Sequence, residues 1–212
     1  MIFTTLFTSA LASLVTAQTP APYTDVRSGI TFNTFQHSSG MFFGLALPAN
    51  STSSTDFIAT MGGKGTGWSG VSLGSGMLNK LLIISWPNAK AVVSSFREAT
   101  QYRSPSVVTG AFTQMPIANG TYVNSTHWTY TFLCSKCIQS DGTTFKITDT
   151  TASIGFAVNA NAPAQKSNPA SAVSKHMAQG QAVFDLNNAK SDKFEMWKAY
   201  AAAPRLTRSF SG

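Results

Sequence analysis

Short β-rich segments recur along this chain at near-regular spacing, each closed by Gly, Pro, Asn or Ser. That rhythm restricts the chain to a layered all-β fold. The segments run from Ile30 to Phe35, Met41 to Leu47, Asp56 to Met61, Gly67 to Leu73, Leu81 to Trp86, Ala91 to Phe96, Ser106 to Phe112, His127 to Leu133, Thr144 to Ile147 and Ser153 to Val158. They predict an antiparallel, immunoglobulin-like β-sandwich. Helical spacing is confined to Ser191 to Ala203, where Phe194, Trp197 and Ala201 share a face behind Ser191 as N-cap, so one short C-terminal helix is expected. Fifteen phenylalanines and four tryptophans supply the bulk of a core.

Residues 1–17 are apolar, free of charged side chains, and end Leu14-Val15-Thr16-Ala17 before Gln18. This reads as a secretory signal, too short to span a bilayer. The remainder suits one domain over 18–203, followed by a flexible basic tail at 204–212. A soluble, extracellular monomer with no membrane segment is expected. The formal charge is +7 with eight acidic residues, but the basic residues are scattered rather than clustered, which argues against a nucleic-acid partner. Sequons at Asn50, Asn119 and Asn124 lie in turn-like sequence and are expected glycosylation sites.

Cys134 and Cys137 share a spacing used by redox dithiols, zinc sites and haem c attachment. Zinc would need two further ligands, and no second Cys-x-x-Cys or His pair is present; haem c would need His where the chain has Ile138. A thioredoxin-like site would open a helix, whereas Trp128, Tyr130 and Phe132 alternate into Cys134 as a strand does. The pair reads as a structural disulfide closing a strand-end turn.

Two stretches carry more than a sandwich requires. In Gly67 to Trp86 the breaker cluster Gly74-Ser75-Gly76 sets Met77 at the tip of a turn between apolar strands. Between the last strand and the helix lies Asn159 to Gly180, rich in Ala, Asn, Pro and Ser, and containing Val173-Ser174-Lys175-His176-Met177-Ala178-Gln179-Gly180. Most methionines are adaptable core fillers, and Met41, Met61, Met115 and Met196 are read so. His37 and His127 are read as surface histidines, and the four tryptophans as core aromatics.

These stretches resemble the haem-binding cytochrome domain of the fungal cellobiose dehydrogenases. The turn Gly74-Ser75-Gly76-Met77-Leu78-Asn79-Lys80 is similar to that family's Gly-x-x-Met-Asn-Asn-Asp turn, departing at Leu78 and Lys80. The second stretch is similar to its Phe-Ser-Glu-His-Thr-Asp-Phe-Gly loop, with Ser174, His176 and Gly180 in place. Asn124-Ser125-Thr126-His127-Trp128, the Cys-x-x-Cys and Ser94-Ser95-Phe96-Arg97 leading to Tyr102 extend the likeness over nearly the whole mature chain, in family order. The resemblance implies noncovalent haem b, with Met77 and His176 as axial ligands and the Tyr102 phenol on a propionate.

A thioether and an imidazole together fill both axial positions of haem iron and raise its potential, which suits electron relay rather than catalysis. The expected function is therefore a non-enzymatic, one-electron carrier. By family resemblance its donor is a flavin dehydrogenase, and its acceptor a polysaccharide mono-oxygenase, ferric iron or a quinone. A haem-free carbohydrate-binding sandwich is the alternative, and it would show solvent-facing planar aromatics. A copper oxygenase would need histidine as the first mature residue, where Gln18 is expected. A complete flavocytochrome would need a dinucleotide fingerprint, which this sequence does not contain.

Overall fold

The computed structural model describes residues 19–49 and 53–201. The expected secretory signal, the Asn50 sequon and the expected basic tail lie outside the described residues. In chain order the strands are β1 (Ala21–Thr24), β2 (Thr31–Gln36), β3 (Phe42–Pro48), β4 (Phe57–Lys64), β5 (Trp68–Ser72), β6 (Leu82–Asn88), β7 (Ala91–Glu98), β8 (Ser106–Val107), β9 (Thr113–Pro116), β10 (Tyr122–Val123), β11 (His127–Ser135), β12 (Thr151–Asn159), β13 (Ala178–Asp185) and β14 (Lys190–Ser191). They are followed by one helix, α1 (Phe194–Lys198).

Two sheets face each other. One runs β1-β2-β3-β4-β11-β10, with β14 beside β3 and β9 beside β11; the other runs β13-β12-β5-β6-β7-β8. All named pairs are antiparallel except β14 with β3. Alternation sets the core: Phe43, Leu45, Ala59, Met61, Trp128, Tyr130 and Phe132 of the first sheet meet Val71, Ile83, Phe96, Ile154, Ala182 and Phe184 of the second. On the first sheet's outer face α1 lays Phe194 and Trp197 onto Ile30, Phe32, Ala46, Ile58, Ile117 and Leu133.

Several expected bounds are corrected. Thr144 to Ile147 is not a strand: flanking turns, in which Asp141 accepts from Thr143 and Asp149 from Lys146, hold it irregular, while Phe145 N–H donates to Leu73 O. Ser106 to Phe112 is strand only at Ser106–Val107, with β9 beginning at Thr113. Ser191 does not cap the helix; it pairs with Pro48 in β14, the helix starts at Phe194, and it passes into a 3-10 turn at Ala199–Ala201. The Asn159 to Gly180 loop is shorter than expected, because β13 begins at Ala178.

Cys134 and Cys137 form a disulfide, with both residues fully buried. Their turn is anchored by Asp56, which accepts from Lys136 N–H at 2.7 Å and from Ser135 Oγ at 3.1 Å. Asn119 and Asn124 are exposed, as the sequon reading requires. Asn124 Oδ1 caps its own turn by accepting from Thr126 N–H and His127 N–H.

Candidate functional site

The outer face of the second sheet differs from its core face in what it carries near β5 and β12. Its outward positions there are Trp68, Gly70 and Ser72 on β5 and Gly155 and Ala157 on β12, in register Gly155 with Ser72 and Ala157 with Gly70. Small residues stand here because neighbouring atoms already lie over the sheet. A Cβ on Gly155 would lie 3.2 Å from Ser72 Cβ and 3.5 Å from Ser75 O, and one on Gly70 would lie 3.3 Å from Ile84 Cγ1 and from Trp68 Cζ3. Trp68, Ile84, Trp86 and Val173 pack around it, with Ala157 against them.

Met77 sits on the turn that folds over one end of this floor. Ser72 Oγ donates to Gly76 O at 2.5 Å, Gly155 N–H to Gly74 O at 3.2 Å, and the Gln181 amide to Ser75 O. Asn79 takes φ 54°, a left-handed conformation that asparagine tolerates, which gives a local reason for its place in the turn. Lys80 covers Gly74 with its stem and donates to Gly142 O at 2.7 Å. Met77 itself is half-buried and belongs to none of the hydrophobic clusters, unlike the fully buried Met41 and Met61.

His176 follows a loop that crosses the same face. Trp86 Nε1 donates to Lys166 O at 2.7 Å, Val173 is packed into the face, and Asn159 Nδ2 donates to Lys175 O at 2.5 Å. Met177 N–H then joins Val158 O and leads into β13. The Met77 turn and the His176 segment thus meet β12 at Gly155 and Val158, three residues apart, or about 10 Å at the usual strand rise. His176 is half-buried, and its ring has no hydrogen-bond partner among the described residues. The rings of His37 and His127 instead bond Ser39 and Thr126.

Tyr102 lies on the third loop, between β7 and β8, and is 84% exposed. That loop joins the Met77 turn through Asn79 N–H to Ala99 O at 2.9 Å, and the His176 loop through Val173 N–H to Ser104 Oγ at 3.0 Å. The fold therefore stitches the Met77, Tyr102 and His176 loops together at one face. Arg97, which the sequence left without a role, is fully buried beneath them and donates to Pro105, Pro169 and Ser171 carbonyls. Its strand already carries Ser94, Ser95 and Glu98, so the residue pattern gives no signal of this burial.

Two other side chains with ligand chemistry, His37 and Met177, differ in setting. His37 lies in tilted contact with Phe156, ring centroids 5.1 Å apart, and Phe156 packs on the core side of β12; Met177 is 72% exposed. Two shallow hollows among the described residues, about 220 and 270 Å³, are lined by neither Met77 nor His176. All four tryptophans are buried, and the exposed planar aromatics among the described residues are Tyr23 and Tyr102. Among the described residues no helix is long and apolar enough to cross a membrane.

Similarity to known proteins agrees with this architecture. The cytochrome domain of Myriococcum thermophilum cellobiose dehydrogenase superposes with a TM-score of 0.74 at 30% identity, covering 86% of this chain and 96% of that one. The cytochrome b domain of pyranose dehydrogenase from Coprinopsis cinerea gives 0.77 at 26% identity, with the same coverage. The pyrroloquinoline quinone-dependent pyranose dehydrogenase of Coprinopsis cinerea is 29% identical over 194 residues, and the chain spans about a quarter of that protein's length (26%). The model of the cytochrome domain of cellobiose dehydrogenase matches residues 23–196, from within β1 to within α1. With the sandwich and nearly all of its strands inside that match, the chain belongs to the family of the cytochrome domain of cellobiose dehydrogenase.

Proposed function

We infer that this chain is a non-enzymatic electron carrier that holds haem b noncovalently between the Met77 turn and the His176 loop. The observation that carries the reading is the stitching of three loops around a Gly70–Gly155–Ala157 floor, beside a thioether outside the core and an imidazole without a hydrogen-bond partner among the described residues. The residues fit the group. A planar apolar macrocycle would need apolar walls, which Trp68, Ile84 and Val173 offer, and the anchors of the Met77 and His176 segments lie about 10 Å apart along β12. When bound, haem b supplies a one-electron iron couple. Met77 and His176 would hold the iron and keep exogenous ligands out, Tyr102 would donate its phenol to a propionate at the rim, and Ile84, Trp68 and Val173 would exclude water from the floor.

The donor that family membership supports is a sugar dehydrogenase. A flavin enzyme was the expectation from sequence, and a pyrroloquinoline quinone-dependent enzyme is the relative at 29% identity, so both cofactor classes are proposed. A polysaccharide mono-oxygenase, ferric iron or a quinone is the proposed acceptor, and the extracellular space the proposed location.

Oxidised and reduced visible spectra of the purified, haem-supplied protein test the reading. A six-coordinate b-type signature is expected. Met77→His should retain haem but lower the midpoint potential, because imidazole stabilises ferric iron better than a thioether does. His176→Ala should weaken haem retention or open the iron to added ligands. An unchanged spectrum and potential in Met77→His would make Met77 a packing residue. A wild-type protein that takes up no haem would return the carbohydrate-binding alternative.

A further inference from the structure

Arg97 projects from β7 on the outer face of the second sheet, opposite Leu82, and is 1% exposed. No carboxylate pairs with it among the described residues. Instead Nε donates to Ser95 Oγ at 2.9 Å, Nη1 to Pro105 O at 3.1 Å, and Nη2 to Pro169 O at 2.7 Å and Ser171 O at 2.8 Å. Its Cζ lies 5.6 Å from the Trp86 ring centroid. Burial holds its pKa below the ordinary guanidinium value.

Burying an ion without a counter-charge costs several kcal/mol, and at an ordinary core position an apolar residue of similar volume is usually better. The arginine here does what an apolar residue cannot. Its four acceptors come from its own strand, from the loop carrying Tyr102 and from the loop carrying His176, and the rigid planar fork fixes their relative directions. Trp86 and Ser104 each add a hydrogen bond to the His176 loop, but among the described residues only Arg97 grips two points of that loop together with the Tyr102 loop.

We propose that Arg97 is a positioning residue that locks the Tyr102 and His176 loops into one wall, so that the His176 imidazole is set before haem arrives. The inference rests on the haem reading above. Groups that orient metal ligands from behind are commonly worth ten- to a hundredfold in metal affinity, on the order of which the effect of Arg97 is expected to fall.

The test compares Arg97→Lys and Arg97→Met with Lys198→Met, which weakens the fold far from these loops. Haem loss to an excess of scavenger protein, the visible spectrum with and without added imidazole, and limited proteolysis of the haem-free protein are measured. Both Arg97 variants should lose haem about tenfold faster or more, be cut sooner within residues 160–177, and regain a six-coordinate spectrum when imidazole is added. Lys198→Met should change none of these at matched temperature below its unfolding transition. Arg97→Lys keeps the charge and carries the comparison where Arg97→Met does not fold. Wild-type haem retention and loop protection in Arg97→Lys would overturn the proposal, as would equal acceleration in Lys198→Met. If the wild-type protein takes up no haem, the haem reading fails by itself. Proteolysis then decides the loop lock, with selective cutting in Arg97→Lys supporting it and an unchanged pattern overturning it.

Discussion

The two sheets of this sandwich share one core but finish their outer faces in opposite ways. The outer face of the first is closed by the chain itself, because α1 places Phe194 and Trp197 over a cluster of six apolar residues. The outer face of the second is edged by three loops and floored by Gly70, Gly155 and Ala157, where a larger side chain would intrude. Burial alone accounts for the first face, since filling it removes apolar area from water. It does not account for the second, where sheet positions that normally carry β-branched or aromatic residues hold the smallest ones. The small residues there let Trp68 and Ile84 lie against Gly70 and the Met77 turn lie against Gly155, beside a half-buried methionine and histidine.

Removing the plug from the closed face should have the largest effect. Trp197→Ala deletes a buried indole and should cost about 3–5 kcal/mol, a large share of the 5–15 kcal/mol that holds a domain together. Chemical denaturation would measure it, and the folded fraction should keep a wild-type haem spectrum. A spectrum altered at matched folded fraction would show that the faces are coupled and would break the comparison. Gly155→Val tests the other face. Its new atoms press on Ser72 Cβ and on Ser75 O of the Met77 turn, so overpacking should destabilise the haem-free protein by about 1–3 kcal/mol and, by shifting that turn, should also weaken haem binding. Haem titration reads the second effect and denaturation of the haem-free protein the first. Destabilisation of the haem-free protein with unchanged haem affinity would make Gly155 an ordinary sheet residue.

How far these faces could be read from sequence depended on where the signal lay. Strands such as Phe42–Pro48 and Leu82–Asn88 were legible within a residue or two, because strong apolar residues mark the buried positions. β13 was missed because its outward residues are Gln179, Gln181 and Val183 and it continues an Ala- and Ser-rich loop, although Ala182 and Phe184 do face the core. β1, an exposed edge strand containing Pro22, has no buried alternation at all. The Met77 turn announced itself by its glycines. The Arg97 clamp could not, because its acceptors on the His176 loop lie 72 and 74 residues away and are backbone carbonyls, which leave no trace in side-chain pattern.

The smallest expected effect is electrostatic and confined to the closed face. Lys198 of α1 donates to Asp56 Oδ2 at 2.7 Å, tying the helix to the carboxylate that also anchors the disulfide turn. Burial pushes the Asp56 carboxyl up, but the Lys198 hydrogen bond, the Lys136 N–H, the Lys198 charge and the Ser135 hydroxyl outweigh it and hold the pKa below its usual value. The Lys198 ammonium is correspondingly raised, chiefly by its bond to Asp56. A lowered carboxyl pKa stabilises the fold above its unfolded value near pH 4, and that stability is lost as pH falls through the folded value. A raised ammonium pKa stabilises below its unfolded value near pH 10 and is lost as pH rises through the folded one. The pair therefore acts between those limits. Lys198 is 37% exposed, so solvent screening reduces what the pair contributes, and Asp56→Asn should cost only about 1 kcal/mol at pH 7. Denaturation of both proteins across pH should show that difference closing towards acid, as wild-type Asp56 takes up its proton. Haem retention in Asp56→Asn should match wild type at every pH where both are folded. A difference that persists at full strength in acid would mean that the substitution acts through packing, and loss of haem would mean that the open face depends on the closed one.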